Sequence, residues 1–197
     1  MKLVKVIDNE EVAKLLADPI RRAILNLLRR EVMTESQLAA KLGLTVPTMN
    51  YHLRLLRRYR LVSVAKTEVE EHGIVQKFYV SNAYFYVPDV EKLPLDAARY
   101  YYPLNLERAR AALGAMKVVT EGRVRLKDKD LDSLSEEFAK ALVKVARQYE
   151  DEEIEVGGGE EQVNSIYSEA ITRLLETSKE ASALLAPLLK KRSNRRS

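Results

Sequence analysis

The chain has 197 residues, 46% of them hydrophobic, with 33 Lys and Arg against 29 Asp and Glu; that is enough apolar material for a buried core and argues against disorder along the whole length. It contains no cysteine, which excludes disulfides, thiolate metal sites and thiol nucleophiles, and two histidines are too few for a histidine-rich metal cluster. No run of eighteen apolar residues and no signal-peptide pattern is present, so a soluble cytoplasmic protein with no membrane partner is expected.

The charge is unevenly spread. Residues 1–82 carry fourteen Lys and Arg against nine Asp and Glu, whereas residues 128–180 carry six against fifteen. A basic N-terminal part suits a phosphate backbone, and a strongly acidic part further on would be repelled by one.

Glu10 to Ala17, with Val12, Leu15 and Leu16, predicts a short helix. Asp18 and Pro19 then supply an N-cap acceptor and a first-turn proline for a second helix, which places Ile20, Ala23, Ile24, Leu27 and Leu28 on one face. Thr34 and Gln37 form a capping box ahead of Leu38, Ala39 and Leu42, and Gly43 permits the left-handed residue that ends a helix, with Leu44 folding back onto the core. Thr45 is the expected N-cap of a third helix with Pro47 in its first turn. Met49, Leu53 and Leu56 make its inward stripe; Val46, Asn50, Tyr51, Arg54, Arg57 and Arg58 fall on the outward face. Leu61 to Ala65 and Val75 to Val80 alternate as strands, joined by a polar loop containing Gly73. Helix, helix, helix, then a hairpin is the order of a winged helix-turn-helix over about residues 8–82.

Asn82 to Leu95, aromatic and proline-punctuated, reads as a linker packed on its neighbours, and Leu104 to Val119 reads as a helix. Asp128 to Tyr149 is a further predicted helix, with Ser133 and Glu136 as a capping box and Leu134, Phe138, Leu142 and Val145 at helical spacing. Gly157, Gly158 and Gly159 separate two acidic clusters that read as a solvated loop or, alternatively, as a site for a hard cation. A final helix from about Glu160 to Lys190 places Tyr167, Ile171, Leu174, Ser178, Ala181, Leu185 and Leu188 at alternating steps of four and three. This heptad seam is expected to join two copies in a coiled coil, the alternative being packing on the Asp128 to Tyr149 helix of the same chain. The expected architecture is therefore mainly α with a small β-hairpin wing: a winged helix-turn-helix at 1–82, a linker and helical dimerisation region at 83–190, and a basic disordered tail at 191–197.

The stretch Leu42 to Ser63, LGLTVPTMNYHLRLLRRYRLVS, resembles the turn, recognition helix and first wing strand of the ArsR family of winged-helix repressors. Thr45 matches the polar cap, Met49 the branched core position and Asn50-Tyr51 the polar pair, while Leu53, Arg54, Leu56, Leu61 and Val62 fall in the matching places; Asp18-Pro19-Ile20-Arg21 is similar to the family's opening, and the likeness covers about seventy residues. The long C-terminal helical part resembles that of some archaeal relatives. Two departures limit the likeness. The Cys-x-Cys element and the acidic and histidine cluster of the metal-sensing members are absent, so no metal and no cofactor are expected; and the wing tip, Glu68 to Gly73, is acidic where the family usually carries Arg or Lys.

The resemblance implies a homodimeric regulator, a repressor by the family's habit, that binds double-stranded DNA through Thr45, Val46, Pro47, Thr48, Asn50, Tyr51, Arg54, Arg57 and Arg58. Asn suits adenine, and the forked donors of Arg suit guanine edges or phosphates. The seam residues Tyr167, Ile171, Leu174, Ala181, Leu185 and Leu188 would hold the dimer. A winged-helix protein-docking module is the alternative, favoured by the acidic wing. His52 reads as a packed residue rather than a sensor, and Tyr84, Phe85, Tyr86 and Tyr100 to Tyr102 as packing rather than the lining of a pocket for an unidentified small-molecule effector. No nucleophile elbow, phosphate-cradling loop or HExxH pattern points to an enzyme.

Overall fold

A computed structural model describes residues 1–69, 73, 75–119 and 128–183. The first strand, β1 (Lys2–Ile7), precedes two short helices, α1 (Glu10–Ala17) and α2 (Pro19–Leu28). Asn9 caps α1 through the Val12 amide, and Asp18 caps α2 by accepting from the amides of Ile20 and Arg21 at 2.8 and 3.3 Å. The exposed carbonyls at the end of α1 are taken up from α2: Arg21 donates to Leu15 O, and Arg22 to Leu16 O and Ala17 O. The orphan acceptors of one helix are thus satisfied by cations of the next.

The strand β2 (Met33–Thr34) leads into α3 (Glu35–Leu42), then α4 (Val46–Arg58), and the hairpin β3 (Val62–Val69) and β4 (Val75–Ser81) follows. β4 lies antiparallel between β2 and β3, with a register shift between Val64 and Lys66. Leu28, Leu38, Met49, Leu56 and Leu61 are fully buried in the core these elements share. Each contributes about 1.5–3 kcal/mol by leaving water. The fold is mainly α, a winged helix-turn-helix followed by a helical region.

The expected linker contains a strand. β5 (Ala83–Pro88) pairs in parallel with β1, Val4 facing Phe85 and Val6 facing Val87. The short α5 (Leu95–Ala98) and the helices α6 (Tyr102–Val119), α7 (Asp128–Ala146) and α8 (Glu160–Thr177) complete the described chain, with a 3₁₀ turn at Arg147–Tyr149. Leu3, Val4, Val6, Phe85 and Val87 form one core with Leu134, Phe138, Leu142, Ile166 and Leu174. Through β1, Leu3, Val4 and Val6 pack with the C-terminal helices, whereas Ile7 packs in the core of the helix-turn-helix.

Several ties hold the two halves together. The Tyr86 hydroxyl donates to Leu61 O at 2.9 Å and accepts from the Ala83 amide; burial pushes its pKa up to about 12. Arg147 pairs with buried Asp89 at 2.8 Å and with Asp8 at 3.5 Å. The glycine segment is a clip. Lys2 bridges antiparallel to Glu153, and the Gly157 amide donates to Arg29 O at the end of α2 at 2.9 Å. Gly157 has φ +86°, and a Cβ there would lie 2.9 Å from Arg30 O; at Gly159 it would meet the Tyr84 ring at 2.6 Å. Gly157 thus allows a close approach to the backbone of α2, and Gly159 one to the Tyr84 ring, that a Cβ would block, while at Gly158 a Cβ would be in ordinary contact.

Two helix expectations are corrected. α7 begins at Asp128, so Ser133 lies inside the helix, where its hydroxyl donates to Glu180 instead of capping. The final helix is broken: Ser178 is extended (φ −105°, ψ 116°), and its hydroxyl accepts from the Ala181 amide to start a new helical turn. A serine at that point satisfies the amides of a restart and favours the break.

The described part of the expected two-chain seam is used within one chain. Leu174 and Ala181 are 2% and 0% exposed, Tyr167 stacks on Phe138 at 6.1 Å, and Ile171 packs against the same core. Leu185, Leu188 and the basic tail lie outside the described residues.

Candidate nucleic-acid interface

The turn between α3 and α4 is set by local chemistry. Thr34 Oγ1 accepts from the Gln37 amide at 3.2 Å and Gln37 Oε1 accepts from the Thr34 amide at 2.9 Å, so two orphan donors at the start of α3 are satisfied reciprocally. Gly43 ends α3 with φ +64°, and the Leu44 amide donates to Ala39 O at 2.9 Å. Thr45 restarts the chain as the N-cap of α4, accepting from the Thr48 amide at 3.3 Å, with Pro47 in the first turn.

α4 is fixed by its inner face. Met49, Leu53 and Leu56 are 0–1% exposed. His52 joins them at 6%, with Nδ1 enclosed and unpartnered among the described residues. Burial, the largest cause, pulls the His52 pKa down; Asp18 opposes this and Arg21 adds to it. His52 therefore acts as a neutral packing residue at neutral pH, the bland reading of the two.

With the inner face so anchored, Thr45, Val46, Pro47, Thr48, Asn50, Tyr51, Arg54, Arg57 and Arg58 are all exposed. The exposure of Val46 (45%) and Tyr51 (48%) puts apolar surface on a face otherwise polar and basic. Asn50 Nδ2 donates to Glu35 Oε2 on α3 at 3.0 Å, and Thr45 and Thr48 share a hydroxyl contact of 2.8 Å. The Arg57 guanidinium lies 6.0 Å from the Tyr79 ring of β4 and that of Arg58 5.9 Å from the Tyr59 ring. Among the described residues none of Arg54, Arg57 and Arg58 has an ion pair, so their charge is directed at solvent.

Sequence reasoning missed the Glu35 contact and the ending of α4. Arg60 has φ +54°, and the Leu61 amide donates to Leu56 O while the Arg60 amide donates to Arg57 O. This is a Schellman-type stop with arginine where glycine is usual; without a glycine, nothing in the sequence marks it.

In the wing, Lys66 pairs with Glu68 at 2.6 Å and lies 4.6 Å from the Phe78 ring. The first strand runs four residues beyond its expected end, to Val69. Glu70, Glu71 and His72 lie outside the described residues. Away from the wing, Tyr84, Phe85 and Tyr101 are buried, whereas Tyr100 and Tyr102 are exposed. Among the described residues no group of three or more His, Asp or Glu could hold a metal ion, and no helix is long and apolar enough to cross a membrane.

Residues 16–65, from the end of α1 into β3, match the model of a family described as a helix-turn-helix domain. The match supports a DNA-binding regulator with a helix-turn-helix. No curated protein matches the chain.

Proposed function

We propose that the protein is a sequence-specific double-stranded DNA-binding transcriptional regulator, a repressor of the ArsR kind, acting as a homodimer. One observation carries the reading: α4 buries Met49, Leu53 and Leu56 and turns Asn50, Tyr51, Arg54, Arg57 and Arg58 to solvent, with no ion pair to the arginines among the described residues. A helix fixed in this way fits a major groove about 12 Å wide. Near its start, Val46 and Pro47 supply apolar contact to thymine methyls and Asn50 reads adenine. Arg54 is placed for a base edge, and Arg57 and Arg58, one turn further, for phosphate oxygens. The uncompensated charge of this face serves the protein-docking alternative as well, through an acidic partner. Both readings predict binding to an acidic surface, and only the DNA reading predicts a preferred sequence.

The homodimer is supported by the reach of one winged helix, which reads a single half-site and gains affinity from a second copy about 34 Å away. With the described seam residues committed to the chain's own core, an apolar stretch among the described residues that fits a second copy is α5 with the start of α6. There Leu95, Tyr100 and Tyr102 are 75%, 49% and 41% exposed. The test is selection of bound duplexes from a random pool. Recovery of an inverted repeat with half-sites one helical turn apart supports the reading; an unenriched pool overturns it.

A further inference from the structure

Three arginines gather where the helix-turn-helix meets the C-terminal helices. Arg29, at the end of α2, donates from Nη1 to Tyr84 O at 3.4 Å and lies 4.9 Å from the Tyr84 ring. Arg108, on α6, donates from Nη2 to Tyr86 O at 3.2 Å and lies 5.2 Å from the Phe85 ring. The two guanidinium groups are thus anchored two residues apart on β5, a span of roughly 7 Å. Arg22, whose Nη1 is taken up by Leu16 O and Ala17 O, adds its charge to the field at Arg108. Among the described residues none of the three has a carboxylate partner, and both Arg29 Nε and Arg108 Nη1 are enclosed without a hydrogen-bond acceptor.

That arrangement is costly for the protein alone. Both side chains are half-buried; a cation drawn even partly out of water is ordinarily paired, and an enclosed donor with no acceptor calls for a cause. The ring faces of Tyr84 and Phe85 offset only part of the cost. Burial, followed by Arg22 and Arg29, pulls the Arg108 pKa down, while Tyr167 and Tyr101 act in the opposite direction. Forked guanidinium donors are the groups that bind the planar or tetrahedral oxygens of an anion; the Tyr101 hydroxyl donates to Ala13 O and is not free to join them.

We propose that Arg29 and Arg108 form a binding site for a small oxyanion, a phosphate or carboxylate group, at the junction of the two halves. An occupant would bridge α2 of the helix-turn-helix to α6, so its binding would stiffen the link between the face that α4 presents and the helices behind it.

The test needs no DNA and stands apart from the function proposed above. Thermal unfolding of the full chain is followed with inorganic phosphate, with citrate and with sodium chloride at matched ionic strength. The expected result is a rise in Tm with phosphate or citrate that grows with the logarithm of concentration above Kd and reaches about 3–6 °C at ten times Kd, absent with chloride; a response to one anion alone identifies its chemistry. Arg108→Met should abolish the rise, whereas Arg99→Met, at an exposed arginine, should keep it. If Arg108→Met does not fold, Arg29→Met carries the same expectation. No rise in the wild type, a rise linear in concentration and shared by chloride, or one that survives Arg108→Met or Arg29→Met overturns the proposal.

Discussion

Leu174 separates a core helix from a dimer seam. It is 2% exposed and packs among Ile166, Ala170 and Ala181 in the second core. Leu174→Ala removes three carbons from a fully buried side chain, and its small neighbours Ala170 and Ala181 can do little to close the space. Substitutions of this type cost about 2–5 kcal/mol, the transfer and cavity contributions together. Taking about 3 kcal/mol and 2–4 °C per kcal/mol for a chain of this size, Tm should fall by roughly 6–12 °C. The assay is thermal unfolding at 5 and at 100 μM, on the order of the range over which a weak dimer would respond, with sedimentation of the same samples. A core residue gives the same loss at both concentrations and leaves the oligomeric state unchanged. A variant that stays folded with Tm within about 2 °C of wild type but changes from dimer to monomer would refute the placement of Leu174 in the core.

Three further outcomes follow from local geometry. Gly43→Ala and Gly157→Ala both force alanine to positive φ, but nothing lies within 4 Å of a Cβ at 43, whereas Arg30 O lies 2.9 Å from one at 157. The first should cost about 1–2 kcal/mol and the second clearly more in urea unfolding, and equal costs would contradict the close approach of the glycine segment to α2. Arg60→Gly should raise stability by about 0.5–1 kcal/mol by relieving the residue at φ +54°, read from the shift in denaturation midpoint at unchanged slope; a loss would show that the Arg60 side chain matters more than its backbone. His52 has a folded pKa below its ordinary value, chiefly through burial, so the unfolded chain takes up a proton first as pH falls. Its contribution is fully present above about pH 6.5 and is lost as pH drops from there towards the depressed folded value. His52→Leu should therefore flatten Tm against pH between about 7 and 5.5, and an unchanged profile would contradict a buried neutral imidazole.

The helix-turn-helix was legible because its signals are local. Asp18, Thr34, Gly43 and Thr45 each act within four residues, and the 3.6-residue pattern of Met49, Leu53 and Leu56 separates the face of α4 that is buried from the one that is exposed. The pairing of β1 with β5 was not legible, because it joins residues some eighty positions apart and its strands, Leu3-Val4-Lys5-Val6 and Ala83 to Val87, carry no turn signal linking them. The Ser178 break failed for another reason: the heptad spacing continues through it, so periodicity alone reads one helix where a capping hydroxyl makes two. Spacing also cannot tell an apolar stripe that faces α7 of the same chain from one that faces a second copy. The arginine cluster draws on α2 and α6 across a strand, and nothing in the sequence brings Arg29 and Arg108 together.

The central claim is that the outward face of α4 reads DNA sequence, and the most direct measurement compares two affinities. Duplex selected from a random pool and a scrambled duplex of the same composition are titrated at one fixed salt concentration with wild type, Asn50→Ala and Arg54→Ala. Each substitution should weaken the selected duplex by about 5- to 150-fold, the equivalent of about 1–3 kcal/mol per lost base contact, and the scrambled duplex by much less. Equal affinity of the wild type for the two duplexes, or the same loss on both in each variant, would contradict the central claim.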